Sequence, residues 1–83
     1  MIFLIDYDRS TGRTVRFKTY ADSERHAAQQ DRLRVELELN SQGLLLEHEV
    51  LLLEGRDEQT LRRTHERYFR HLPEPTTSPM TIP

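Results

Sequence analysis

The chain has no cysteine. Disulfides, iron–sulfur clusters, thiolate zinc sites and cysteine nucleophiles are therefore excluded together, and any metal would have to be held by histidine and carboxylate alone. Glycine is scarce as well. Three isolated residues, Gly12, Gly43 and Gly55, cannot build the glycine-rich loops that cradle a dinucleotide or a nucleoside triphosphate. Proline is absent before residue 73, and Pro73, Pro75, Pro79 and Pro83 all fall at the end of the chain. No apolar run approaches the roughly 18 residues of a membrane span. The opening Met1-Ile-Phe-Leu-Ile5 is interrupted by Asp6, with no basic segment before it and no small-residue cleavage site after it. A secretory signal is thus not expected, and the cytoplasm is the expected setting.

What is present is 83 residues with a net charge of −2, 35% hydrophobic and 31% charged, enough for one small core. A domain of this size buries only about 60% of its unfolded surface, so help from a partner chain is expected. The proline- and threonine-rich stretch 72–83 has no hydrophobic periodicity and reads as a disordered tail, leaving one domain at 1–71.

Residues 1–8 alternate with period two, Met1, Phe3, Ile5 and Tyr7 on one face, which predicts a strand. Residues 13–20 repeat the pattern with Val15, Phe17 and Thr19. Superposing the apolar faces sets Tyr7 opposite Val15, Ile5 opposite Phe17 and Asp6 opposite Arg16, around a Ser10-Thr11-Gly12 loop whose last residue takes positive φ. Asp22 or Ser23 is placed to cap a helix running to Gln42, stopped by Gly43. On its wheel Ala28, Val35 and Leu39 lie on one side and Leu33 and Leu37 nearly opposite, two apolar stripes that need two things to pack against. The competing reading makes residues 34–39 a strand, because Val35, Leu37 and Leu39 alternate with Glu36 and Glu38. Leu44 to Glu54 reads as a buried strand interrupted by Glu47, His48 and Glu49. Asp57 caps a second helix in which Leu61, Thr64, His65, Tyr68, Phe69 and Leu72 form one stripe.

The order strand, strand, helix, strand, helix predicts an α+β fold, a three-stranded sheet with two helices packed on one face. Such a sheet has two open edges and a bare face. With Leu33, Leu37, Leu45, Leu51 and Leu53 in surplus, the expectation is a homodimer that buries them.

Candidate chemistry is thin. Asp6 and Asp8 share one strand face and could hold a divalent cation, although acids opposite Arg16 and beside Arg9 are ordinary ion-pair partners. Strand alternation sends His48 to the face opposite Glu47 and Glu49. His65 and His71 are separated by about 240° of helix, and position 69 is Phe, so there is no zinc-helix motif. Ser10, Ser23 and Ser41 sit in a turn, at a cap and near a helix end, with no base beside them in sequence. No catalytic residue and no cofactor is assigned.

The strongest polar feature is a set of arginines, Arg62, Arg63, Arg67 and Arg70, on the second helix. Among the basic residues Lys18 is the lone lysine, and residues 31–54 are acidic while 55–71 are basic. Guanidinium suits phosphate and carboxylate alike, so RNA or DNA is a candidate partner for these arginines, beside a protein partner of unknown identity. The overall acidity and Glu66, four residues from both Arg62 and Arg70, count against nucleic acid.

Glu49-Val-Leu-Leu-Leu-Glu-Gly55, followed by Asp57-Glu-Gln-Thr-Leu-Arg-Arg-Thr-His-Glu-Arg-Tyr-Phe69 and with the opening Leu4-Ile-Asp-Tyr-Asp8, resembles small uncharacterised bacterial proteins, a domain of unknown function. The resemblance covers about residues 1–70. It implies a bacterial, cytoplasmic protein and carries over no activity and no catalytic residues. The reading taken forward is a non-enzymatic homodimeric interaction module. The alternatives are nucleic-acid binding through the arginines and a small metal binder or enzyme using Asp6, Asp8 and a histidine. No membrane partner is expected.

Overall fold

Four consecutive apolar residues at the start of the chain, Ile2 to Ile5, are all buried, and this fact organises the molecule. They belong to β1 (Ile2–Asp8), which lies between β2 (Arg13–Tyr20) and β3 (His48–Glu54) in an antiparallel sheet of order β2-β1-β3. The computed structural model describes residues 1–72. It adds three helices, α1 (Arg25–Ser41), α2 (Glu58–Thr64) and α3 (Glu66–Phe69). The fold is α+β in the expected order of elements.

The expected placement of both helices on one face is corrected. Ile2 and Leu4 point to one face, where with Tyr20 they meet Ala28, Val35 and Leu39 of α1. Phe3 and Ile5 point to the other, where with Leu53 they meet Leu61 of α2 and Tyr68 and Phe69 of α3. A central strand apolar at both parities has two faces to cover, so one helical layer could not suffice. Phe69 closes the second face edge-on, its ring centre 6.1 Å from that of Phe3 and 5.5 Å from that of Phe17.

The hairpin follows its expected register only part of the way. Ile5 pairs with Phe17 and Asp6 with Arg16, but the register then slips, and Tyr7 pairs with Thr14 rather than Val15. Val15 is the extra residue of a bulge and is exposed, while Thr14 turns inward and is buried. The turn becomes Arg9–Gly12, with Gly12 at φ 73° donating its N–H to the Asp8 carbonyl. The buried Thr14 hydroxyl donates to the Tyr68 carbonyl at 2.6 Å, and the Thr14 N–H donates to the His71 carbonyl at 3.0 Å. The bulge thereby ties the C-terminal helical layer to the β2 edge.

Residues 34–39 are helical, the adopted reading of the two. Neither Asp22 nor Ser23 caps α1 directly; they form a 3-10 turn at Asp22–Glu24, and Glu24 accepts the Ala21 N–H at 2.8 Å. Gly43, at φ 73°, ends the helix in a left-handed conformation open to glycine. Asp57 caps α2, accepting the Thr60 N–H at 2.8 Å. The single second helix expected from the stripe is broken at His65, whose ψ of 47° leaves the helical region. The Thr64 hydroxyl lies 3.3 Å from the Thr60 carbonyl and 3.4 Å from that of Leu61, a back-bonding that bends helices. The break turns Tyr68 and Phe69 onto the sheet. Leu72 also packs there; the remainder of the expected disordered tail, residues 73–83, lies outside the described residues.

Candidate functional site

Asp6 is the most enclosed ionisable side chain, only 1% exposed. Its place in β1 brings it between Arg16 of β2 and β3 on the face covered by α1. His48 Nδ1 stands 2.6 Å from Asp6 Oδ1; since a carboxylate only accepts, Nδ1 carries the hydrogen. Arg16 Nε is 3.2 Å from Oδ2, yet Oδ2 has no hydrogen-bond partner, so its N–H is not aimed at that oxygen and the attraction is one of charge. Arg16 in turn pairs with Glu38 of α1. A carboxylate that orients an imidazole is half of a nucleophile-activating arrangement, but no hydroxyl bonds to His48 among the described residues. The cluster is a polar staple, buried at Asp6 and open at Arg16 and Glu38, that joins three strands and α1.

Asp8, the other half of the expected cation pair, is occupied in its own turn. It accepts the Ser10 hydroxyl at 2.7 Å and the Ser10 N–H at 2.9 Å, and the hydroxyl bond holds its pKa below the usual carboxylate value. Asp6 and Asp8 are thus bonded to different partners, and no group of three His, Asp or Glu that could hold a metal ion occurs among the described residues.

The opposite face carries a second polar cluster. Tyr68 donates to Glu49 Oε2 at 2.9 Å, and Arg67 Nη2 donates to Glu49 Oε1 at 3.0 Å. The Arg67 guanidinium lies 5.0 Å from the ring centre of Tyr68 and 5.3 Å from that of Tyr7. The alternation that separates His48 from Glu49 is therefore observed, each going to its own cluster, while Glu47 lies in the turn before β3 and is exposed.

The four arginines do not form one open face. Arg67 is bound as above, Arg62 pairs with Glu58 at 2.6 Å and stacks over Phe69, and Arg70 stands 3.9 Å from Glu66. Arg63 alone of the four has no ion-pair partner among the described residues. The expected interface leucines also separate. Leu53 is buried against α2 and α3, Leu51 packs beside it, and Leu45 packs against the α1 cluster. Leu33 and Leu37 remain open, 55% and 60% exposed, in a shallow depression with Gln30 and Arg34 on the outer side of α1.

The edge of β3 is the least defended part of the sheet. Gly55 N–H donates to the Met1 carbonyl and Arg9 N–H to the Glu47 carbonyl. With the register Phe3↔Leu53, Ile5↔Leu51 and Tyr7↔Glu49, these bonds set the odd residues of β3 facing β1 and turn the backbone groups of Val50, Leu52 and Glu54 outward. Among the described residues none of these groups has a hydrogen-bond partner. The β2 edge, by contrast, carries Arg13, Arg16 and Lys18 and is closed at Thr14 by His71. The β3 edge has no lysine, proline or bulge, the devices by which edges are normally blunted. Sequence reasoning missed this asymmetry because it depends on strand order; the run Val50-Leu-Leu-Leu53 was its one visible sign.

Comparisons with protein-family models, with curated proteins and with solved structures return no match. No helix among the described residues is long and apolar enough to cross a membrane.

Proposed function

We propose that this chain is a non-enzymatic protein-interaction module that acts as a homodimer in the bacterial cytoplasm. The observation that carries the reading is the open apolar edge of β3. An edge of this kind is a template for another strand, and main-chain pairing needs no catalytic chemistry. The arginines support nucleic-acid binding less well, because three of the four are held by carboxylates of their own chain.

The test is the solution mass by light scattering of the full chain at low salt and at 0.5 M salt. A dimer at both supports the reading, and a monomer at tens of micromolar overturns it. A filter assay run alongside, with mixed RNA and DNA, decides the alternative. Salt-sensitive retention at micromolar protein would replace the interaction reading with nucleic-acid binding.

A further inference from the structure

The proposal above says that two copies associate; the geometry goes further and says how. We infer that the two copies join β3 to β3 in antiparallel fashion about a two-fold axis at Leu51, forming a continuous six-stranded sheet on which the two α1 helices lie side by side. This inference rests on the homodimer reading.

Three observations converge on that arrangement. The outward backbone groups of β3 are those of Val50, Leu52 and Glu54, so an antiparallel copy must pair even residues with even. Centring the pair on Leu51 sets Val50 opposite Leu52 of the partner subunit and yields about six main-chain hydrogen bonds. The same register sets the Glu54 N–H opposite the carbonyl of His48 of the partner subunit. Centring on Val50 or on Leu52 loses that pairing.

The second observation is spacing. Helix α1 packs on both β1 and β3, so its axis stands about one strand spacing, ~4.8 Å, from the edge of the sheet. Pairing through β3 therefore brings the two α1 axes to about 10 Å, the distance at which helices pack. The third is charge. The flank of α1 above β3 is marked by Arg25, which pairs with Glu54. Arg32 and Glu36, seven and eleven residues on, fall within about 20° of Arg25 on the wheel. Neither has an ion-pair partner among the described residues, whereas the opposite flank is satisfied, with Asp31 bound to Lys18 and Glu38 to Arg16. The step from Glu54 to Leu51 is about 10 Å of strand, or about seven residues of helix, which sets the Arg32–Glu36 segment beside the axis. Antiparallel neighbours there present Arg32 of each copy to Glu36 of the other.

The experiment is amide hydrogen exchange by NMR on the full chain, at concentrations above and below the dimer dissociation constant, with light scattering on the same samples. The expected result is that the Val50 and Leu52 amides become protected in the dimer, while those of Leu51 and Leu53, already bonded to β1, change little. A dimer in which Val50 and Leu52 exchange as fast as in the monomer overturns this arrangement and leaves the homodimer reading intact. A monomer at every concentration overturns both. Charge exchange gives an independent check that leaves the core untouched. R32E and E36R are each expected to weaken the dimer about tenfold, and R32E/E36R to restore it; an unchanged dissociation constant in both single variants overturns the helix contact.

Discussion

His48 and Asp6 meet across β3 and β1 at 2.6 Å, with the carboxylate almost wholly enclosed beneath α1. The carboxylate is tolerated in this position because His48 donates a hydrogen bond to it and the Arg16 guanidinium stands beside it, one from each flanking strand. Removing it leaves the half-buried His48 ring without its hydrogen-bond acceptor, while Arg16 keeps Glu38. D6A is expected to lower the unfolding free energy by about 1–3 kcal/mol, a large share of the stability of a domain this small. Urea denaturation measures this, and a loss below about 1 kcal/mol would show that the cluster does not hold the sheet to α1.

The bulge at Val15 makes Thr14 the link between β2 and the C-terminal helical layer. Replacing its hydroxyl in T14V leaves the buried Tyr68 carbonyl without a donor, a cost of about 1–3 kcal/mol. Amide exchange should quicken chiefly from Glu66 to His71. An equal quickening throughout the sheet would contradict a local role.

Tyr20 and Tyr68 govern the alkaline limit. Burial, and then the Asp31 carboxylate it donates to, raise the pKa of the Tyr20 phenol; burial and then Glu49 raise that of Tyr68. In the unfolded chain both titrate near ~10. Raised folded values mean stability that is complete below pH ~10 and falls as the pH rises beyond it, because the unfolded chain then binds fewer protons. Denaturation at about pH 9 and about pH 11 should show this decline, and Y20F should flatten it. On the acid side Asp31 acts with the opposite sign. The Tyr20 hydrogen bond depresses its pKa, so its contribution is present above about pH 4 and lost as the pH falls further.

Leu33 and Leu37 face away from the sheet. The pair L33S/L37S is expected to change fold stability by no more than about 0.5 kcal/mol and to leave the dimer mass unchanged. Conversion to a monomer would place the self-association on the outer side of α1 instead of on β3.

Much of the architecture was legible because it depends on local pattern. The alternation at residues 1–8 and 13–20, the cap at Asp57 and the stop at Gly43 each draw on a few neighbouring residues, and the elements form where those signals fall. The match of Ile5 to Phe17 and of Asp6 to Arg16 was readable for the same reason, since a short turn leaves little freedom of register. The slip at Val15 was not. It is set by Thr14 reaching the Tyr68 carbonyl, 54 residues away.

The site was less legible than the fold. The carboxylate of Asp6 is visible in the sequence, but its pairing with His48 is not, since only the order β2-β1-β3 sets β3 beside β1. Helical spacing sets Arg67 on a basic face, and the break at His65 carries it to Glu49, Tyr7 and Tyr68 instead. By itself the sequence determined the elements and their order, because hydrophobic period, caps and glycines act over a turn or two. Tertiary structure alone decided which helix covers which face, that β3 is an open edge and that Asp6 and Glu49 are bound by residues of other elements. Those outcomes depend on which distant segments share a face, and no local period encodes that.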